Sequence, residues 1–170
     1  MIPERGQLAL VLALLVATVQ GVVPLVGAAR RDATLMAFAR PAAITQFALV
    51  ALAFGCLAAS FLASDFSVAN VAQNSFSALP APYKLAASWG SHEGSLLLWA
   101  LMLGGWSCAV ALRSKNLPAP MLARVLAVMG LVAVGFLLFL LLTSNPFERL
   151  VPAAAEGRDL NPLLQDPGMV

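Results

Sequence analysis

Four stretches of this chain are apolar for long enough to cross a bilayer, and no other feature constrains the fold as tightly. A hydrocarbon core takes about 20 helical residues. The runs cover residues 8–29, 42–63, 95–112 and 121–143, and Arg124 is the single formal charge within them. Backbone groups left unpaired in lipid are costly, so each run must be helical. Composition agrees, with 61% hydrophobic and only 11% charged residues. An ordinary soluble domain carries roughly 25% charged residues, enough to coat its surface. The expected fold is all-α integral membrane, one unit over residues 1–170 with four transmembrane helices and external segments at 64–94 and 144–170.

The connections set the expected orientation. Arg30, Arg31, Arg40, Arg113, Lys115 and Arg124 cluster on one side, against Asp32 alone. Basic residues in short loops mark the cytoplasmic face. Both termini and the middle loop are then extracytoplasmic. A cleaved signal peptide fits the first run poorly. Its head is balanced (Glu4 against Arg5), its arginines follow the run, and the run exceeds the usual ~7–15 apolar residues. A net charge of +2 gives no reason to expect a nucleic-acid partner.

Little in the chain suggests a complete active site. Cys56 and Cys108 both lie in apolar runs, where cysteine is usually a small packing residue. No nucleophile–base set, phosphate loop or metal-binding cluster is present, so neither catalytic nor metal-ligating residues are assigned. Gly21, Gly27, Gly55, Ala59, Gly104, Gly105, Gly130 and Gly135 suit close helix approach, which implies a packed bundle. In the middle loop, Val68, Val71, Phe76 and Leu79 alternate with polar residues. This reads either as a short amphipathic surface helix ended by Pro80 and Pro82, or as an irregular loop. Pro146, Pro152, Pro162 and Pro167 make the last segment extended and extramembrane.

The segment richest in functional side chains runs from Tyr83 to Trp99. Ser91 suits a helix N-cap, and Glu93 in the first turn complements the helix dipole. Trp89 sits where an interfacial ring is at home. A helix starting near Ser91 puts His92, Leu96, Trp99 and Trp106 on one face. His92 is the chain's single histidine. It reads either as a haem ligand or as a structural group at a helix start. Trp89, His92, Glu93 and Trp99 are the candidate cofactor-binding residues.

The run Trp89-Gly-Ser-His-Glu-Gly-Ser-Leu-Leu-Leu-Trp99 resembles a signature segment of the CcmF family of cytochrome c-type biogenesis proteins, and of its relative in nitrite-reductase cytochrome assembly. Further blocks match in order and spacing: Pro3-Glu4 with Gly6, Asp65 to Ser75, Leu79-Pro80 with Tyr83-Lys84, Asn145-Pro-Phe147 and Asp159 to Gly168. The resemblance implies a role in cytochrome c maturation, in a membrane factor that accepts haem and promotes its attachment to apocytochrome c. It implies haem as cofactor and a multi-pass place in the cell inner membrane, with functional loops facing the periplasm. Implied partners are membrane lipid, the remainder of the CcmF-like protein, a haem chaperone, apocytochrome c and other maturation subunits.

Departures from the family pattern narrow that implication. Family members are several times longer, and their tryptophan-rich haem segment is absent here. In relatives a His-Pro-Pro follows the Asp-Pro-Gly motif, whereas this chain ends at Met169-Val170. The expectation is therefore a scaffold portion, either a fragment or one half of a split protein. Such a portion should be poorly stable alone and should leave small-residue faces unfilled. Two readings of other classes compete: a solute- or ion-conducting subunit, and a haem-free structural assembly subunit. Few polar groups lie deep in the runs (Gln20, Gln46, Ser60, Ser107), and all are neutral, which weakens an ion pathway.

Overall fold

The computed structural model describes residues 1–114 and 116–159. Lys115, and the motif residues and prolines from 160 onward, lie outside the described residues. The described chain is helical throughout its core: α1 (Ile2–Arg30), α2 (Ala33–Ala37), α3 (Ala39–Leu62), α4 (Ala69–Asn74), α5 (Ala81–Gly90), α6 (His92–Arg113) and α7 (Ala119–Leu142). Four helical stretches, Ile2–Arg30, Ala33–Leu62, His92–Arg113 and Ala119–Leu142, are long and apolar enough to cross a membrane.

Local signals at the helix ends explain the tight connections. Pro3 in the first turn of α1 costs nothing, because first-turn N–H groups have no helical partner. α1 closes at Arg31, which adopts the left-handed conformation at φ 57°. Asp32 then caps α2, its carboxylate accepting from the N–H groups of Thr34 (2.8 Å) and Leu35 (3.3 Å). The turn is so close that a Cβ on Gly27 would lie 2.7 Å from the Met36 nitrogen.

Consecutive long helices run antiparallel, and α1 packs most extensively against α3 and α7. Its buried stripe is made of small residues, Ala9, Ala13, Ala17 and Gly21. Small residues let backbones approach, which drives helix association where lipid removes the hydrophobic force. The crossing with α7 shows this directly: a Cβ on Gly130 would sit 2.9 Å from the Gly21 nitrogen and 3.1 Å from the Ala17 carbonyl oxygen. Leu10, Leu57, Phe61, Leu97, Leu137 and Leu140 fill the space nearer the other end. Gly55 and Gly135, by contrast, face open space rather than a neighbouring helix.

A polar node ties three helices together inside the apolar zone. Gln20 of α1 donates from Nε2 to the Ser107 hydroxyl of α6 (3.1 Å) and to the Leu126 carbonyl of α7 (2.8 Å). Gln46 of α3 is also buried, yet neither atom of its amide has a partner.

The middle loop differs from both readings of its sequence. α4 is a single short helix whose Val68 flank and Val71 are fully buried beneath the loop rather than laid on a surface. Pro80 and Pro82 start the next helix, α5, instead of ending one. Proline lacks only a donor that the first helical turn would leave unused, so it initiates a helix as readily as it stops one.

Candidate functional site

The N-terminus of α1, the α3–α6 connection and the segment after α7 meet at one end of the bundle. Each is anchored by residues from a different part of the chain. Phe147 is buried and its ring lies over Gly6, where a Cβ would be 2.3 Å from the ring. The Asn145 carboxamide accepts from the Phe147 N–H (3.0 Å) and fixes the turn that drives the ring inward. Arg149 binds Glu4 and the Ser67 hydroxyl and lies 3.6 Å from Asp65, so one guanidinium joins three segments. Backbone bonds run beside it, from Ala69 N–H to the Glu148 carbonyl (2.8 Å) and from Leu150 N–H to the Ser67 carbonyl (2.9 Å).

The rest of this platform is held by one buried and one exposed polar side chain. Lys84 of α5 donates to the Ser64 hydroxyl (2.7 Å) and the Ser77 carbonyl (2.9 Å), with little of its side chain exposed. Glu156 accepts from the Ser77 N–H (2.9 Å) and hydroxyl (2.8 Å). Those two bonds, with one from the Gly157 N–H, hold the Glu156 carboxyl below its ordinary range. Gly157 fits because a Cβ there would meet the Ser75 carbonyl oxygen at 1.8 Å. Asn70 and Ser75 are buried in the same loop, and each keeps one polar side-chain atom without a partner among the described residues.

The junction of α5 and α6 sits at this end and carries the candidate residues. Ser91 has extended backbone and its hydroxyl accepts from the Gly94 N–H (3.0 Å), an N-cap bond. The Ser95 hydroxyl reaches back to the Trp89 carbonyl (2.5 Å). Gly94 is required by the closeness of the two helices, since a Cβ there would lie 1.9 Å from the Ser88 carbonyl oxygen. The Gly-Ser-His-Glu-Gly-Ser stretch is thus a rigid corner that fixes the angle between α5 and α6.

The four candidate side chains do not converge. Trp89 is half-buried and packs on the main core. His92 is exposed and Glu93 half-exposed at the first turn of α6. Trp99 (60% exposed) and Trp106 (71%) continue the His92 face outward, away from α3 and α7. α6 turns Gly94, Leu97, Ala100, Gly104 and Ser107 inward instead. His92 can offer one imidazole to a haem iron, above an apolar face carrying Trp99. The chain has no second histidine, so it offers one exposed imidazole and not a bis-histidine cage. Among the described residues no group of acids, cysteines and histidine is placed to hold a metal ion.

Local sequence signals assign no role to Gly94 or to Arg149. Both act through contacts distant in sequence. An available signal was the repeated pairing of a glycine with a polar motif, at Gly6 and at Gly94.

Comparison with known proteins places this geometry. The profile of the family described as Cytochrome C assembly protein matches residues 89–170. Cytochrome c-type biogenesis protein CcmF of Pseudomonas aeruginosa is 64% identical over 171 residues, covering 100% of this chain and 26% of that protein. CcmF of Escherichia coli is 54% identical, again over 100% of this chain and 26% of the relative. The probable biogenesis protein NrfE of Escherichia coli is 53% identical over 75% of this chain and 23% of its own length. A solved structure titled Cytochrome c Heme Lyase CcmF superposes with a TM-score of 0.81 at 28% identity, covering 87% of this chain and 25% of that one. The chain spans about a quarter of the length of the curated relatives it matches.

Proposed function

The chain matches the N-terminal part of the CcmF-type cytochrome c biogenesis proteins along its whole length, and on that premise we propose that it serves cytochrome c maturation as the scaffold of a haem-attachment factor. The observation that carries the reading is convergence. The Pro3-to-Gly6, Asp65-to-Ser75, Tyr83-to-Trp99 and Asn145-to-Phe147 blocks are far apart in sequence, yet they meet on one platform at one end of the bundle. A platform built so rigidly beside an exposed histidine suits a surface that positions haem or an apocytochrome against the remainder of a longer protein.

In this reading the platform and both termini face the periplasm and the arginine-rich end faces the cytoplasm, as the distribution of basic residues favours. The membrane is then the cell inner membrane. His92 contributes an imidazole to haem or to a haem propionate, and Glu93 a polar contact beside it. Trp99 supports the apolar edge of the ring, and Trp89 holds the corner in place. The haem chaperone, apocytochrome c and other maturation subunits would approach the same end. Open space beside Gly55 and Gly135 suits further helices of a longer protein.

An absorption spectrum of the detergent-purified chain with added haem tests the site, and cytochrome c assembly by a full-length relative tests the role. His92→Ala is expected to abolish the Soret band in the first assay and to lower holocytochrome yield in the second. Undiminished holocytochrome yield would remove His92 from the site.

A further inference from the structure

The opposite end of the bundle carries a feature that the maturation role does not use. Arg30, Arg31, Arg40, Arg113 and Arg124 gather there, and none makes an ion pair among the described residues. The sole acid among them, Asp32, is already engaged in capping α2. Arg40 is half-buried and donates to the Ser114 carbonyl at the end of α6 (3.1 Å), which holds its guanidinium in place with donors to spare. Beside it opens a cleft of about 220 Å³, walled by Met36 of α2, Leu117, and Leu122 and Ala123 of α7. That is smaller than the roughly 300–1,000 Å³ of a drug-sized pocket, so it suits a compact headgroup better than a large cofactor.

The cleft shares one lining residue, Ala37, with a second hollow of about 280 Å³, which includes Phe38 and Pro41. Phe38 and Pro41 in turn begin a third, of about 360 Å³, which runs between α1 and α3 past Val19 to Leu15. Its lining spans Leu15 to Val19 on α1 and Pro41 to Thr45 on α3, about one turn or roughly 6 Å of each helix at about 1.5 Å per residue. The walls of both hollows are apolar apart from Thr34 and Thr45. A cationic cleft at the membrane boundary, flanked by apolar hollows that reach the seam between α1 and α3, has the shape and charge of one kind of molecule. Basic pockets between transmembrane helices take anionic lipid headgroups.

We propose that this cleft and its flanking hollows form a binding site for an anionic phospholipid, with its phosphate at Arg40 and one acyl chain lying between α1 and α3. The bound lipid neutralises the unpaired guanidinium and fills the seam at the α2 corner. It thereby braces the connection between the two helices that carry most of the bundle's packing.

The test is native mass spectrometry of the intact chain released from detergent, with phosphatidylglycerol or phosphatidylcholine of equal chain length added. Phosphatidylglycerol adducts are expected to exceed phosphatidylcholine adducts by about fivefold or more, and Arg40→Gln to abolish the difference. Val19→Trp, which leaves every arginine in place, should reduce long-chain adducts while sparing short-chain phosphatidylglycerol. Millimolar inorganic phosphate should not displace the lipid. Equal retention of the two lipids, or full anionic preference in Arg40→Gln, would overturn the proposal. Complete displacement by phosphate would assign Arg40 to a free anion and overturn it equally.

Discussion

Replacing Gly94 by alanine adds one methyl group at the corner between α5 and α6, where the carbonyl of Ser88 already occupies the space. The added Cβ would lie 1.9 Å from that oxygen. Ordinary contact needs about 3.5 Å, so one helix must shift by roughly 1.5 Å. The obstacle is backbone, and no rotamer change relieves it. Overpacking of this kind costs about 1–3 kcal/mol. The shift also strains the Gly94-to-Ser91 cap and the Ser95-to-Trp89 bond, each worth about 1 kcal/mol. Alanine's better helix propensity returns at most about 1 kcal/mol. The net expectation is a loss of roughly 2–4 kcal/mol, or about 5–15 °C in Tm for a chain of this size. Thermal unfolding in detergent, followed by tryptophan fluorescence, reads it directly because Trp89 sits on the corner. Gly55→Ala is the control. Nothing lies within 4 Å of its added methyl group, so helix propensity alone should leave Tm unchanged or slightly raised. A Gly94→Ala protein melting within a degree or two of the parent would refute the reasoning.

Other contacts make separate predictions. Phe147→Ala empties a buried ring site over Gly6 and should cost about 3–5 kcal/mol, read as a large drop in Tm and as exposure of residues 144–159 to protease. Gln20→Leu removes two interhelical bonds, which in membranes average about 0.6 kcal/mol each, and with them a buried Oε1 that has no partner among the described residues, so the terms nearly offset. Gln46→Leu removes a buried amide with no partner and should be neutral or stabilising, since an unsatisfied buried group costs about 1–3 kcal/mol. Unfolding by a denaturing detergent should therefore rank Gln46→Leu at or above the parent and above Gln20→Leu, and the reverse order would show that Gln46 is satisfied. The Glu156 carboxyl has a lowered pKa in the folded chain. Its hold on Ser77 is thus fully present above the ordinary carboxylate range and lost as pH falls through the lowered value. The protection of the Ser77 amide against hydrogen exchange, taken relative to the intrinsic rate at each pH, should be lost only in that acid window, and pH-independent protection would discard the clasp.

How much of this was legible in the sequence varies by level. The helical core was legible because lipid forbids alternatives: an apolar run long enough to span must satisfy its own backbone hydrogen bonds. The start of α6 was legible too, since Ser91 and Glu93 carry a local capping signal that needs no distant partner. The middle loop was not. Pro80 and Pro82 permit either a helix start or a helix stop, and burial of Val68 and Val71 beneath the loop decided the matter.

The candidate site divides the same way. Periodicity placed His92, Trp99 and Trp106 on one helix face, and that is geometry any helix imposes. Whether the face turned inward was beyond the sequence. Here the outcome depends on Gly104 offering close approach to α3 and on Ser107 meeting Gln20 of α1, so the large rings were left outside. The sequence by itself determined that the chain forms four helices long and apolar enough to cross a membrane, because that follows from solvent and backbone alone. Only the tertiary structure decided that Glu4, Asp65, Lys84, Phe147, Arg149 and Glu156 build one platform. Contacts between residues as far apart as Glu4 and Arg149 are set by helix packing and leave no local trace.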